Sequence, residues 1–438
     1  MPCMRGSWYY PHSRMNPTIR FKLFLMMVLE FFIWGAWYPL IFGYLPSLGF
    51  TPTEQSWILS TFPLAAIVGM FFSNQFADRN FAAERFLGAS HLIAGAAMVS
   101  LVWARTFWPF FGAMLVHCLL YVPTISITNS IAFAQMKDAQ KEFGIVRMGG
   151  TIGWVLAAWP MTFILVNWLG TVLASGLTGP ALQAGTRWTF VVAGIASLAL
   201  AAFSLALPHT PPKPATTAAN KFAWLEALRL LAAPFILVLW LVTFIDSTVH
   251  NLYFNWTGTF LGTEVAAGGV GIAGNWIMPV MSIGQIAEIV TMAILGVTLK
   301  KLGWRTTMIL GILGHAARFA VFAFLPQYEA IVILVNVVHG IAYAFFFATV
   351  YIFVDEFFPK DVRASAQGLF NLMILGLGPL VANILGPRLI GETFRTATGV
   401  DFRSLFLVPF SAAVFAAVVL ALFFHPPRSQ RAQVAAAT

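Results

Sequence analysis

Charged residues are scarce in this chain. Asp, Glu, Lys and Arg make up 9% of the 438 residues, and 59% of the residues are hydrophobic. Soluble globular proteins carry about 25% charged residues. The composition therefore excludes a water-soluble globular domain, and it predicts an integral membrane protein that crosses the bilayer many times.

Cysteines and the common catalytic motifs are also missing. The two cysteines, Cys3 and Cys118, cannot build a disulfide framework or a metal site. No phosphate-binding loop, dinucleotide fingerprint, GxSxG or HExxH motif occurs, which argues against ATP-driven transport and hydrolysis. The loops hold no nucleophile–base pair and no room for a signalling domain. We therefore expect neither an enzyme nor a sensor, and no cofactor or metal.

Long apolar runs fill most of the chain. A membrane-spanning helix needs ~20 mostly apolar residues because each residue advances 1.5 Å along the axis. By this criterion the sequence contains twelve candidate spans: 21–46, 55–77, 84–104, 107–134, 144–167, 187–207, 233–262, 268–299, 305–325, 328–354, 362–386 and 403–425. The sequence thus predicts an all-α protein with twelve transmembrane helices.

One polar break divides the spans into two sets of six. The proline-rich stretch 208–221 separates span six from span seven, and an amphipathic piece (222–232) that is expected to lie on the membrane surface follows it. The predicted segments are a tail (1–20), a six-helix bundle (21–207), a linker (208–232), a second bundle (233–425) and a tail (426–438). Met15 is the hypothetical natural start, as an alternative to Met1.

The basic residues orient the spans. With both termini in the cytoplasm, 18 of the 25 Lys and Arg residues lie on the cytoplasmic side and 5 on the other, with Arg147 and Arg318 inside spans. Basic residues favour cytoplasmic loops. We therefore expect a multi-pass protein of the inner membrane, and we read the net charge of +9 as a sign of orientation in the bilayer and not of nucleic-acid binding.

Charged residues that lie inside spans point to transport. Glu30, Asp246, Glu288 and Arg147 each occupy an apolar stretch. A charge in the hydrocarbon core costs at least ~2.5–3.5 kcal/mol. These residues are therefore expected on a polar path. Six spans, a polar loop and six further spans are the architecture of the major facilitator superfamily, in which two halves rock about a central site, usually in a monomer.

Span five carries a polar stripe. A spacing of four and then three residues places Arg147, Thr151 and Trp154 on one helix face. A charge, a hydroxyl and an aromatic ring on one face suit a polar ring compound. Gly149 and Gly153 allow close helix approach. The alternative is that Arg147 only reaches towards the membrane surface.

Span eight carries Gln285 and Glu288 on one face, far from either end. Glu288 is therefore expected to face a cavity or a cation, and Arg147 is the natural partner. A carboxyl group in this position can take and release a proton, because desolvation favours its neutral form. The alternative is a structural ion pair.

Spans seven and ten contribute further polar residues. In span seven, His250, Asn251 and Phe254 lie on one side, and Asp246 stands four residues before His250, with which it could pair. The pattern leaves two alternatives open. His250 is a pH-sensitive imidazole, or it forms a structural hydrogen bond with Asp246. Span ten adds the i, i+4 pair His339 and Tyr343, which supply hydrogen bonds and an aromatic surface.

Five motifs in register resemble the bacterial nucleoside:proton symporter family. They are "WGAW" (34–37), "YVPTISITN" (121–129), "VRMGGTIG" (146–153), "SIGQIAE" (282–288) and "RASAQG" (363–368). The similarity runs from about residue 16 to the end of span twelve. It implies import of nucleosides together with a proton, through a substrate site formed by Arg147, Thr151, Trp154, Asn251, Phe254, Gln285, Glu288, His339 and Tyr343.

One position departs from the family pattern. The resemblance places an acidic, proton-coupling residue directly after the span-ten aromatic residue, where this chain has Ala344. Glu30 stands where the family tends to carry an uncharged amide. We therefore expect Glu288 and Glu30 to carry the proton. The rivals are uncoupled facilitated diffusion of nucleosides, or uptake of another polar ring compound such as a sugar or glycoside.

Overall fold

The computed structural model describes residues 15–69, 80–136, 139–166, 177, 179–212, 228–358 and 363–426. Residues 1–14 of the predicted N-terminal tail, 213–227 of the predicted linker and 427–438 of the C-terminal tail lie outside the described residues. Helical segments occur at each of the twelve predicted positions.

The N-terminal half contains six of these helices: α1 (Pro17–Ser47), α2 (Pro52–Val68), α3 (Ala83–Ser100), α4 (Phe107–Gln135), α5 (Ala139–Ile164) and α6 (Gly179–Ser204). Local capping fixes where they begin. The Asn16 side chain accepts from the Thr18 amide at the start of α1. Thr51 and Glu54 form a reciprocal capping box at the start of α2.

The C-terminal half begins with α7 (Pro234–Gly262). The next helical stretch, Gly274–Phe324, is divided at Gly303, whose φ of 73° lies in the left-handed region that favours glycine, so it forms two helices, α8 (274–302) and α9 (304–324). The last helices are α10 (Glu329–Phe357), α11 (363–393) and α12 (Phe402–Phe423). Segments of π-helix interrupt α10 at Tyr343–Ala348 and α11 at Leu372–Leu377 and Leu389–Thr393. A short hairpin pairs Arg395–Thr396 with Gly399–Val400 before α12.

The outward faces of the helices are apolar. In the described part of the chain, eight helical segments are long and apolar enough to cross a membrane. Large apolar side chains point away from the protein along several of them, including Ile195, Val290, Val297 and Phe415, which are 57–63% exposed. An apolar surface of this kind is stable in lipid and not in water. The protein is therefore a multi-pass membrane protein.

The two halves meet along two main helix pairs. In the described residues α2 packs against α11, and α5 packs against α8. Within the halves, α1 packs closely on α5 and α8 on α10. These contacts leave a space between the halves, and the polar residues of the predicted site face into it.

Candidate functional site

A large cavity lies between the two halves. Its volume is about 1310 Å³, above the ~300–1,000 Å³ of most small-molecule pockets. The lining comes from α1, α2, α4 and α5 on one side and from α7, α8, α10 and α11 on the other. All nine substrate-site residues expected from the sequence line this cavity: Arg147, Thr151, Trp154, Asn251, Phe254, Gln285, Glu288, His339 and Tyr343.

Glycines on α5 set the N-terminal wall of the cavity. A Cβ atom at Gly153 would clash with the Val28 carbonyl oxygen, and one at Gly149 would come within 2.6 Å of the Phe24 carbonyl oxygen. The absence of side chains at both positions lets α5 lie directly on α1. The predicted close approach is confirmed, and it turns the Arg147 face of α5 into the cavity.

Glycines also set the C-terminal wall. A Cβ atom at Gly340 on α10 would clash with the Glu288 amide nitrogen, and one at Gly284 on α8 would lie 2.9 Å from the His339 side chain. The tight α8–α10 contact brings Gln285 and His339 together, with Gln285 Nε2 and His339 Nε2 3.3 Å apart.

Arg147 and Glu288 line the cavity without pairing. The Arg147 guanidinium lies 4.2 Å from the centre of the Phe31 ring. Among the described residues, no hydrogen bond or ion pair within 4 Å links Arg147 to Glu288, but the charge of Arg147 acts on the Glu288 carboxylate, so the expected partnership is electrostatic and lacks direct contact. Their charges are left available for a ligand in the cavity, one from each half.

Aromatic rings form the floor of the cavity. The Trp154 ring lies 5.2 Å from Trp34 and 6.0 Å from Phe254, and Trp34 stacks on Phe62 with ring centroids 4.5 Å apart. Tyr38 joins the group 5.4 Å from Phe254. Sequence reasoning missed Phe62 and Tyr38, and it noted Trp34 only as part of a motif, because aromatic residues are common in every span.

A hydrogen bond joins the halves beside this floor. The Tyr38 hydroxyl donates to Asn251 Oδ1 at 2.6 Å, from α1 to α7. Further along, the Asn383 side chain on α11 donates to the Leu59 carbonyl oxygen on α2 at 2.9 Å. At the other end of the cavity the lining reaches residues near helix ends. They are Phe133 near the end of α4, Phe143 near the start of α5 and Gln367 near the start of α11. The cavity is therefore closed at one end and extends to the other.

The expected pairing of Asp246 with His250 is wrong. Asp246 Oδ1 lies 3.0 Å from Nδ1 of His315 on α9, and both side chains are completely buried. His250 instead lies in the cavity lining, with its ring 5.4 Å from His315 and 5.0 Å from His339. Spacing along one helix could not reveal a partner on another helix.

Arg318 completes this group from α9. It is completely buried, its guanidinium lies 3.8 Å from the Tyr253 ring, and Nη1 donates to His339 Nδ1. The sequence showed only that Arg318 lies within a span, and nothing in the spacing linked it to His339.

Glu30 lies outside the cavity lining. It is completely buried between α1, α3 and α4, where its Oε2 lies 3.0 Å from His91 Nε2 and its Oε1 accepts from the Thr124 hydroxyl at 2.8 Å. Phe31, the next residue, does line the cavity. Any proton exchange by Glu30 would therefore have to pass through its bonded neighbours.

Ala344 also faces away from the cavity. It is completely buried in a small apolar cluster with Leu295 and Phe345, inside the π-helical segment of α10. An acidic side chain would be costly among these neighbours. The surroundings of this position are therefore suited to the alanine that the chain carries.

Comparison with known proteins gives consistent results. The family model described as nucleoside H+ symporter matches residues 17–429. The YegT protein of Escherichia coli (strain K12) is 32% identical over 92% of this chain and 93% of its own length. The xanthosine permease of the same organism is 26% identical over 94% of this chain and 97% of that protein.

Solved structures show the same fold. The crystal structure of the nucleoside transporter NupG is similar with a TM-score of 0.78 and 22% identity, over 93% of this chain and 100% of that one. A D-xylose–proton symporter matches with a TM-score of 0.69 over 93% of this chain and 98% of the other. The fold is thus that of the major facilitator transporters, and the extent of the family match shows that this chain belongs to the nucleoside H+ symporter family.

Proposed function

We propose that the protein imports nucleosides together with protons across the inner membrane, as a monomer with both termini in the cytoplasm. The observation that carries the proposal is the cavity between the halves. It presents an arginine, a carboxylate, amides and aromatic rings to one space, and the family model and curated relatives supply the nucleoside and the proton.

The substrate site follows from the chemistry of a nucleoside, which has a flat base and a hydroxyl-bearing sugar. The base can pack against the aromatic rings of Trp154, Phe254 and Tyr343, because flat aromatic rings attract one another in stacked and edge-to-face arrangements. Glu288 and Gln285 are suited to accept from and donate to ribose hydroxyls.

The remaining polar groups reach the ligand from three helices. Arg147 and Thr151 on α5, Asn251 on α7 and His339 on α10 are suited to the polar edge of the base. Asn251 exchanges its bond with Tyr38 for one with the ligand, so substrate binding and the contact between the halves are coupled.

Alternating access requires the closed end of the cavity to open and the open end to close. With the orientation given by the basic residues, the end that reaches Phe133, Phe143 and Gln367 faces the cytoplasm, so the structure is inward-open. The bonds that close the opposite end, from Tyr38 to Asn251 and from Asn383 to Leu59, must break for the outward-open state. Each contributes about 1 kcal/mol, which a ligand can supply.

Proton coupling is proposed to involve Glu288, because it is a cavity-lining carboxylate without a bonded partner in the described residues. Glu30 stays a prediction from the sequence. The buried bonds of Glu30 with His91 and Thr124 make it the more enclosed of the two carboxylates.

The test is uptake of labelled uridine and adenosine into proteoliposomes, with and without an inward proton gradient. A gradient of about one pH unit supports up to about tenfold accumulation when one proton enters with each substrate. Accumulation that fails in Glu288→Gln, while Glu329→Gln at an exposed position behaves as wild type, is the expected result. Uptake that stops at equal concentrations would indicate the uncoupled alternative, which the buried Ala344 favours. No uptake of either nucleoside would contradict the proposal.

A further inference from the structure

A buried group of ionisable side chains lies behind the cavity in the C-terminal half. Asp246 on α7 and His315 on α9 are both completely buried, with Asp246 Oδ1 and His315 Nδ1 3.0 Å apart. Neither residue belongs to the cavity lining. The substrate site described above does not use them, yet a buried carboxylate is expensive unless it is well paired.

The bonding of this pair is incomplete. Asp246 Oδ2 and His315 Nε2 are buried and have no hydrogen-bond partner in the described part of the chain. A carboxylate with a free oxygen beside an imidazole with a free nitrogen has places for one more proton. A fully bonded pair would have none.

His250 connects the pair to the cavity. Its ring lines the cavity, lies 5.4 Å from His315, and carries a buried Nδ1 that likewise has no partner among the described residues. Imidazole both accepts and donates a proton near neutral pH. His250 is therefore placed to pass a proton between the cavity and His315.

His339 is not part of this path. A guanidinium can only donate, so the Arg318 Nη1 bond makes His339 Nδ1 an acceptor and keeps that imidazole neutral, with its hydrogen on Nε2. His339 is fixed for binding, next to Gln285, while no hydrogen bond among the described residues fixes Nδ1 of His250.

We propose that Asp246 and His315 form a proton-binding site of the transporter, which exchanges protons with the cavity through His250. The inference rests on the proposed symport and adds a second proton-binding group, behind the cavity, to Glu288, which lines the cavity. When empty, the aspartate and the neutral imidazole carry one negative charge. Binding makes one O–H or N–H bond and brings the charge to zero, and release breaks that bond and returns the proton to the cavity.

The surrounding charges are compatible with exchange. The titratable and charged groups around the pair are Arg318 from α9, His339 and Tyr343 from α10, and His250 and Tyr253 from α7. Glu288 from α8 and Tyr38 from α1 face the cavity side. The hydrogen bonds of α7 with α11 use uncharged groups such as Ser247 and Asn255.

Arg318 provides a link to the substrate. Its positive charge interacts with Asp246 and its Nη1 bonds His339. Protonation of Asp246 removes the attraction on that side and strengthens the bond to His339, which orients His339 beside Gln285 for the ligand. Proton and nucleoside then favour each other's binding, as symport requires.

The experiment compares two assays in proteoliposomes that contain the full chain. One assay measures accumulation of labelled uridine driven by an inward proton gradient. The other measures counterflow, the exchange of labelled for unlabelled uridine without a gradient. We expect Asp246→Asn to lose accumulation, falling from up to about tenfold per pH unit to equal concentrations, and to keep counterflow.

The outcomes separate this inference from the proposed function. If the wild-type protein moves no nucleoside in either assay, the proposed function fails and the inference with it. If the wild-type protein accumulates uridine and Asp246→Asn accumulates it with the same pH dependence, the symport stands and this proton site is wrong.

Two further variants guard against misfolding. His250→Gln alters a cavity-lining side chain, and it is expected to shift the pH profile of accumulation while the protein keeps its melting temperature. His117→Gln is the matched control, because His117 is a buried imidazole whose Nδ1 bonds the Ala94 carbonyl oxygen and no charged group among the described residues. It is expected to keep the wild-type pH profile. If Asp246→Asn does not fold, an unchanged pH profile in His250→Gln overturns the proposal.

Discussion

The two halves of the molecule each contain a buried carboxylate–imidazole pair on equivalent helices. Glu30 and His91 lie on α1 and α3, the first and third helices of the N-terminal half. Asp246 and His315 lie on α7 and α9, the first and third helices of the C-terminal half. The pairs are equally buried and equally short, at 3.0 Å. They differ in what surrounds them.

The N-terminal pair is saturated. Both oxygens of Glu30 are bonded, to His91 and Thr124, and Nδ1 of His91 lies 3.0 Å from the Ser197 hydroxyl. The Tyr121 hydroxyl also donates to the Glu30 backbone at 2.6 Å. A buried polar network that is fully bonded holds its helices in one arrangement.

Within the described residues, the C-terminal pair leaves one atom of each partner without a hydrogen bond, and the His250 ring beside it leads to the cavity. The difference teaches that burial alone does not make a charge functional. Of two similar pairs, the one with free atoms and a route to water is suited to exchange a proton, and the other is suited to stabilise the fold. Three predictions test this contrast, beginning with the largest expected effect.

Replacing each carboxylate by its amide should give opposite results for transport. Glu30→Gln can still accept from the Thr124 hydroxyl and can donate its NH2 group to His91 Nε2, because the Ser197 hydroxyl donates to the His91 carbonyl oxygen and so accepts from His91 Nδ1. It exchanges a charged contact for a neutral hydrogen bond, so it should lower the stability by about 1 kcal/mol and leave proton-driven accumulation intact. Asp246→Asn can keep its oxygen towards His315, but its NH2 group then has no acceptor among the described residues, so it should lose accumulation with a loss of stability of about 1–2 kcal/mol. Melting in detergent and uridine accumulation in vesicles measure the two effects. Loss of pH dependence in Glu30→Gln would break the contrast and support the coupling role that the sequence predicts for Glu30.

Removing one hydroxyl should make the N-terminal pair resemble the other. Thr124→Val removes the hydroxyl that contacts Glu30 Oε1, His91 Nε2 and the Tyr121 carbonyl oxygen, and it should lower stability by about 1–2 kcal/mol. Thr128→Val, one turn along α4, is the matched control, because within the described part of the chain the Thr128 hydroxyl bonds only the Ile125 carbonyl oxygen. It should melt close to wild type. Equal melting temperatures for the two variants would show that the bond to Glu30 has no special weight.

The N-terminal cavity wall should affect affinity and not pH dependence. Thr151→Val removes one hydroxyl from the proposed substrate site, which costs about 1 kcal/mol and weakens uridine binding by about fivefold. The pH profile of transport should stay unchanged, in contrast to His250→Gln. Binding measured by calorimetry and uptake measured across pH separate the two effects. A shifted pH profile in Thr151→Val would place proton coupling in both halves.

The sequence alone determined the helices and much of the cavity. Bilayer thickness sets how long an apolar run must be, so each predicted span can be read directly from hydropathy. A charged or amide side chain inside a span must avoid lipid. For this reason residues such as Arg147, Gln285 and Glu288 could be expected to face one cavity, and they do.

Only the tertiary structure decided which of these groups touch. The sequence predicts that Asp246 pairs with His250, because the two are neighbours along one helix. It predicts that Arg147 pairs with Glu288, because their charges are opposite. The actual partner of Asp246 is on α9, 69 residues away, and Arg147 and Glu288 are left apart. Contacts between helices depend on where small residues such as Gly153 and Gly340 let two backbones meet. That packing is a property of the whole fold, so no local pattern in the chain distinguishes the saturated pair from the free one.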